Sequence, residues 1–368
     1  MKVLGLVNCY NTLGLGPMTE HRNIASTSFL GRYAFIDFPL SNFYNSGINH
    51  IGILVKNHVR SLLKHVQNSS SWSSNTKLGS FSFLYDEKNA GKEGYNNDIS
   101  NILENKWFFD SVEPDYVVIT SPQFNFICDF RKEIENHIQS KAGVTLLYTS
   151  SNEMKDTYIG SKKITIGQKG KLTKLETNKG EFSSGDVYLE TLIMDYKTFC
   201  QYVEFANSTS SFFSFSDVLE YISPNVLVRC KKFDGYVKCY DSLSHYLKYS
   251  LEVLNEQYNS LFNNSWPIYT RTYDTPPAIY TKGCKVANSY IANGCHIKGT
   301  VVNSIIGRDV IVSEGAVVKN CVISAYTKIG PGIKIENVVA DKSAKLSHKK
   351  EIIGTKENPI YIKQGDLI

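Results

Sequence analysis

The residues with chemical reach are few and lie far apart along the chain. Asn8–Gly16 follows Lys2–Val7, a short apolar run that reads as a buried strand. A loop leaving such a strand is where an α/β sheet holds a nucleotide. Arg22 and Arg32 supply the next positive charges. Cys239 follows the turn Phe233-Asp234-Gly235-Tyr236 and reads as a small core thiol or a nucleophile. Asp241 stands two residues beyond it. His296 is a lone imidazole further on. The eight cysteines include no Cys-x-x-Cys pair, which disfavours zinc and disulfide frameworks and predicts reduced thiols.

The elements that must position these groups alternate. Tyr116–Ile119 and Val144–Thr149 read as buried strands, Arg60–Gln67 and Asp129–Ser140 as helices. Asn68–Gly79 and Asn89–Asn97 read as loops, rich in Ser, Asn and Gly. Asp186–Val203 and Phe212–Ile222 supply strand and helix pieces, and a helix is predicted through His245–Leu254. In Gly31–Val55, Ser41-Asn42 reads as an N-cap for a short helix Phe43–Asn49 closed by Gly47, before a strand at His50–Lys56. Strands alternating with helices imply a mostly parallel, Rossmann-like α/β sheet.

From about Ile279 the pattern changes. Ile291 and Ile297 are six apart, and Ile305, Ile311, Val317, Ile323, Ile329 and Ile335 keep that period. A period of six fits a parallel β-helix, each side placing one apolar residue inward. Gly294, Asn303, Gly307, Gly315, Gly330 and Gly332 suit its corners. The expected layout is an α/β domain over 1–254, a connector over 255–278 and the β-helix over 279–368.

At 368 residues two domains are expected, and 42% hydrophobic content is ordinary for a globular chain. The net charge is +5 and its cations are dispersed, which argues against a nucleic-acid footprint. The apolar start after Met1-Lys2 is too short for a signal peptide, and no run reaches the ~18 residues of a membrane span, so a cytoplasmic location is expected.

The string Tyr33-x-x-Ile36-Asp37-Phe38-Pro39-Leu40-Ser41-Asn42-x-x-Asn45-Ser46-Gly47-Ile48 resembles the glucose-1-phosphate adenylyltransferases of glycogen and starch synthesis. Trp266-Pro267-Ile268-Tyr269-Thr270, then Pro276-Pro277, resembles the same family just before its C-terminal domain. With the repeats, the resemblance covers nearly the whole chain. It implies that the β-helix is left-handed. It also implies a site that cradles a triphosphate on backbone N–H groups, adds cations for the transition state and holds Mg²⁺ on carboxylates.

The positions that match those functions carry other residues. The family's glycines in the first loop fall on Cys9, Tyr10 and Thr12, and its arginine on Gly14. Its phosphate-side lysine falls on Ile24 and a later arginine on Ala34, while Arg22 is kept. Its two Mg²⁺ carboxylates fall on Gln123 and Cys239, a neutral amide and a soft thiol. Asp129 matches a helix-cap residue, and Asp241 is a weak substitute ligand. On the sugar side, Glu176-Thr177-Asn178 lacks the family's lysine, with Lys179 nearby, and Phe213–Asp217 keeps one of two aspartates.

The resemblance is therefore greatest to the GlgD-type regulatory subunit of bacterial glycogen synthesis. That implies no catalytic residues, no metal site and assembly with a catalytic subunit as a heterotetramer, or a homo-oligomer when alone. Arg22 and Arg32 are candidate residues for binding a sugar-phosphate or nucleotide effector. The alternatives are an active adenylyltransferase with a rearranged site, a β-helix acyltransferase using His296, and a sugar-phosphate sensor.

Overall fold

The structure is a computed structural model that describes residues 1–10, 13–66, 71–72, 79–222, 226–255, 261–262 and 265–368. Most of the loop predicted over Asn68–Gly79 lies outside the described residues.

Four short apolar strands form the parallel heart of the first domain. In spatial order they are Ser80–Tyr85, His50–Val55, Val3–Asn8 and Tyr116–Thr120. Buried residues line both faces: Leu4, Leu6, Val117 and Ile119 on one, Val7, Ile51, Ile53 and Val118 on the other. A strand buried on both sides needs this near-continuous apolar composition. Gly185–Asp195 adds antiparallel to Tyr116–Thr120, and Lys162–Ile166 and Leu172–Thr177 follow it. Val144–Ser151 also pairs with Gly185–Asp195 and carries Val228–Lys232.

The helices are α1 (Asp37–Asn45), α2 (Val59–Val66), α3 (Asp98–Glu104), α4 (Lys106–Val112), α5 (Phe130–Ser140), α6 (Tyr196–Thr209), α7 (Phe215–Ile222) and α8 (Leu243–Glu252). No helix among the described residues is long and apolar enough to cross a membrane.

The helix predicted to start after Ser41-Asn42 instead begins at Asp37, with Pro39 in its first turn, where a missing N–H is harmless. Ser41 and Asn42 are inside it and bond outward. Ser41 Oγ accepts from Tyr269 N–H at 2.8 Å, and Asn42 Nδ2 donates to Phe126 O at 2.9 Å. Trp266 Nε1 donates to Asn42 Oδ1 at 3.1 Å. The two longest strings of family resemblance are therefore one packed unit, α1 strapped by the segment around Trp266–Tyr269.

The repeats form a three-sided β-helix of parallel strands, starting at Ile279–Tyr280 and ending at Ile360–Ile362. The strict period of six does not hold throughout. Ile311 and Val317 face outward on their strands, while Val312 and Val318 are fully buried. The cause is coil length: Lys334 stacks on Glu351 with a step of 17, and Asn288 on Asn303 with a step of 15. Neither is a multiple of six, so the inward phase slips by one residue at some corners.

One corner is a ladder of asparagines in the left-handed region: Asn288, Asn303, Asn320 and Asn337. Asn303 Nδ2 donates to Asn320 Oδ1 at 2.7 Å, which helps to offset the cost of that backbone.

The two domains share a core. Phe29, Phe35 and Phe38 of the sheet domain pack with Tyr240, Tyr246 and Leu247, and with Ile305, Val322 and Val339 of the β-helix. Gly31, at φ +63°, lies so close to Gly307 that a Cβ there would be 2.8 Å from its Cα.

Candidate functional site

The cleft at the carboxyl ends of the parallel strands is built from the first loop, the turn after Tyr116–Thr120 and the Lys238–Cys239 strand. Phe124–Asn125 pairs antiparallel with Lys238–Cys239, placing Phe124 opposite Cys239. That pairing brings Gln123 and Cys239 together from distant stretches of the domain's sequence.

Gln123 is fully buried and both ends of its amide are occupied. Its Oε1 accepts from the Leu13 N–H at 2.7 Å, and its Nε2 donates to the Tyr240 carbonyl. The Tyr240 N–H returns to the Gln123 carbonyl at 3.3 Å. The side chain thus stitches the first loop to the far wall. An N–H that could face a phosphate is used inside the protein instead.

Thr12 lies outside the described residues, and the described positions of the loop also turn inward. Cys9 is buried, and loss of hydration raises its thiol far above its ordinary value. Tyr10 donates its hydroxyl to Asn96 at 2.8 Å. Leu13 reaches the opposite side, where a Cβ on Gly160 would be 2.5 Å from its methyl group. A Cβ on Gly14 would meet the Thr19 hydroxyl at 3.2 Å and the Gly16 nitrogen at 3.9 Å. Ile24 is 2% exposed in the core shared by the domains.

The carboxylates and thiol do not form a metal site. Cys239 is buried beside the Ser161 hydroxyl at 3.6 Å, and desolvation with the nearby Asp241 charge holds it well above the usual thiol range. Asp241 accepts from the Ile159 N–H at 3.0 Å and pairs with His245 Nδ1. Asp129 caps α5, accepting from Arg131 N–H at 3.1 Å. Asp217 accepts from Ser214 N–H and Oγ at 2.9 and 2.6 Å. Among the described residues no group of three or more His, Cys, Asp or Glu could hold a metal. Mg²⁺ requires several oxygen ligands, and a fully bonded amide beside a neutral thiol does not fit it.

Two acids in the cleft, the buried Asp98 and the half-buried Glu190, escape a sequence reading. Asp98, at the start of α3, accepts from Asn8 Nδ2 at 2.7 Å, and burial pushes its carboxyl up to about 6. Glu190 sits at a break of register in Gly185–Asp195 with φ +48°, a conformation costing about 1–2 kcal/mol outside glycine. Loss of hydration, with Asp98 adding, raises its carboxyl to about 7. The one available signal is a lone acid inside the apolar run Val187–Met194.

Glu190 gives a pH prediction. Its folded pKa lies above the ordinary 4.5, so its contribution to stability is full below 4.5 and is lost as pH rises through about 7. Glu190→Gln is expected to flatten the fall in stability between those values by on the order of 3 kcal/mol. Denaturant melts across the range would check it; parallel curves for the two proteins would refute it.

The two candidate effector arginines have different environments. Arg22 forks onto Asp341 of the β-helix, with Nη1–Oδ1 at 3.0 Å, and reaches Gln364 Oε1 at 3.2 Å. Arg32 has no carboxylate partner among the described residues. It faces Arg308, whose guanidinium lies 4.2 Å from the Tyr273 ring centre, and Arg271 is 4.7 Å from the same ring. Burial, with the Arg32 charge adding, lowers the Arg308 pKa. No sequence pattern links three arginines on three separate elements.

Residues 14–176 match the nucleotidyl transferase family, and residues 277–358 match the GlmU-like C-terminal hexapeptide family. A glucose-1-phosphate adenylyltransferase of Thermosipho africanus is 30% identical over 324 residues, covering 83% of this chain and 74% of that one. The chain belongs to the glucose-1-phosphate adenylyltransferase family. The Clostridium perfringens enzyme of that name is 26% identical over 367 residues, covering 93% of this chain and 92% of its own. The glycogen biosynthesis protein GlgD of Bacillus subtilis is 27% identical over 360 residues, covering 95% and 92%. The family's fold is present here in both parts, the nucleotidyltransferase domain and the left-handed β-helix.

Proposed function

We propose that this chain is a noncatalytic or very weakly active regulatory subunit. It assembles with a catalytic glucose-1-phosphate adenylyltransferase in a heterotetramer that makes ADP-glucose for glycogen synthesis. The observation that carries the reading is the Gln123 amide, bonded at both ends where a metal carboxylate would stand. Each lost transition-state contact is worth on the order of 2–4 kcal/mol. Gly14, Ile24, Gln123 and Cys239 remove several together, and such losses leave little turnover even when they do not add.

The preserved parts suit a subunit that acts through its shape. The strapped α1 and the core shared between domains make a rigid body. A rigid body can favour a partner's active conformation by about 1–3 kcal/mol, or roughly 5–150-fold. Arg32, Arg271 and Arg308 form the proposed seat for an anionic effector, since an unneutralised guanidinium cluster favours phosphate. Arg22, forked onto Asp341, takes the part of holding the domains in register.

The test is a synthesis assay on this chain, on a catalytic homologue and on the two co-expressed, with size-exclusion chromatography. This chain alone is expected to turn over at less than a tenth of an ordinary ~10 s⁻¹ enzyme. The mixture is expected to co-elute, with kcat or KM changed roughly 5–150-fold. Separate elution with unchanged kinetics would overturn the reading. For the effector seat, sugar phosphates should raise Tm of the wild type but not of Arg308→Ala.

A further inference from the structure

A cavity lies against α3, beside the degenerate cleft. Its volume is about 410 Å³, within the range of small-molecule sites. One wall is a single face of α3: Ser100, Leu103 and Glu104. The opposite wall is Asn207, near the end of α6, and the turn Ser210–Phe213. The loop around Lys88, Asn89 and Tyr95 forms the rim.

The chemistry of this lining is specific. Ile99, Leu103 and Phe213 give it an apolar floor. Amides and hydroxyls surround them, and the two charged residues, Lys88 and Glu104, cancel. The side chains of Lys88, Glu104 and Asn207 make no hydrogen bond or ion pair with any described residue, so their capacity is available to a ligand. Asn97 and Ser100, by contrast, are spent on the capping box of α3, and that fixes the wall's position. At the mouth, the Tyr95 and Phe212 rings meet at 5.0 Å centre to centre, tilted by 38°. Both are large and exposed, at 47% and 58%. Phe212 lies over the backbone of Gly94, where a Cβ would be 3.2 Å from its ring.

We infer that this cavity binds a neutral saccharide. A sugar presents hydroxyls that both donate and accept, which suits amide side chains carrying one group of each kind. It also presents an apolar ring face, which suits an exposed aromatic platform. The balanced lining offers no excess positive charge to favour a phosphate. This is a site for a polyhydroxylated, uncharged ligand; Asn97 and Ile99, which line it, flank Asp98 of the cleft, and none of the three clustered arginines lines it. It does not depend on the regulatory reading.

Titration calorimetry with the full chain tests it, using maltotriose, cellotriose and glucose 1-phosphate as probes. At least one neutral trisaccharide is expected to bind, and more tightly than glucose 1-phosphate. Tyr95→Ala and Asn207→Ala are each expected to weaken that binding at least tenfold. Tyr95 is too exposed for its truncation to unfold the protein, and an unchanged Tm would confirm that for both variants. No heat from either trisaccharide at tens of millimolar would overturn the inference. So would tighter binding of glucose 1-phosphate, or binding undiminished in both folded variants.

Discussion

Asp341→Ala is expected to loosen the β-helix from the sheet domain at a cost of about 3–5 kcal/mol. The Asp341 side chain is wholly buried. It accepts from the Arg22 guanidinium, from the Tyr361 hydroxyl at 2.7 Å and from the Lys342 N–H at 2.7 Å. Removing it leaves Arg22, itself only 11% exposed, with Gln364 as its remaining hydrogen-bond partner. Burial and the Arg22 charge already lower the Lys342 ammonium, so that group too loses its nearest compensation. The expected readout is a Tm lower by roughly 5 °C or more. Arg22→Ala on the same background should recover part of the loss, because it removes the stranded charge. A double-mutant cycle measures that coupling. A Tm within about 1 °C of wild type would show that the fork carries none of the docking.

Much of the fold was legible because its signals are local. Lys2–Val7, Tyr116–Ile119 and Val144–Thr149 are short apolar runs, and each is a strand displaced by at most two residues. The β-helix announces itself by repetition. What misled was tertiary. Ser41 and Asn42 look like a cap because caps use those residues, yet here they bond to Tyr269 and Phe126, which no local window contains. The even period failed at Ile311 and Val317 because coil length is set by stacking between coils. Helices α3 and α4 escaped notice since Asn105 interrupts their pattern, ending one and opening the other.

For the cleft, the residue types were legible and their bonding was not. The sequence puts Gln123 and Cys239 on separate stretches, and the antiparallel pairing of Phe124 with Cys239 makes them neighbours. The identity of Gln123 alone would allow a residual weak ligand; its two hydrogen bonds do not. Glu190 and the Arg32–Arg271–Arg308 group are assembled wholly by the fold.

That distinction decides what restoring one carboxylate would do. Gln123→Asp is expected to restore no measurable synthesis and to lower stability by about 3–5 kcal/mol. Aspartate is one methylene shorter and has no donor. The Tyr240 carbonyl would lose its amide partner, and the Leu13 N–H would lose an acceptor held at 2.7 Å. The new charge would be buried near Asp241 and Glu190, with Cys239 neutral beside it. Ile24 and Gly14 stand where the family resemblance would put compensating cations. Leu13, no longer tethered, would free the first loop without giving it the glycines that let a backbone approach phosphate. Residues that act as a unit do not recover singly. Melting curves and the synthesis assay with ATP, glucose 1-phosphate and Mg²⁺ read both effects. Turnover within tenfold of an ordinary ~10 s⁻¹ enzyme would show that the remaining site is intact, and the regulatory reading would fall with that result.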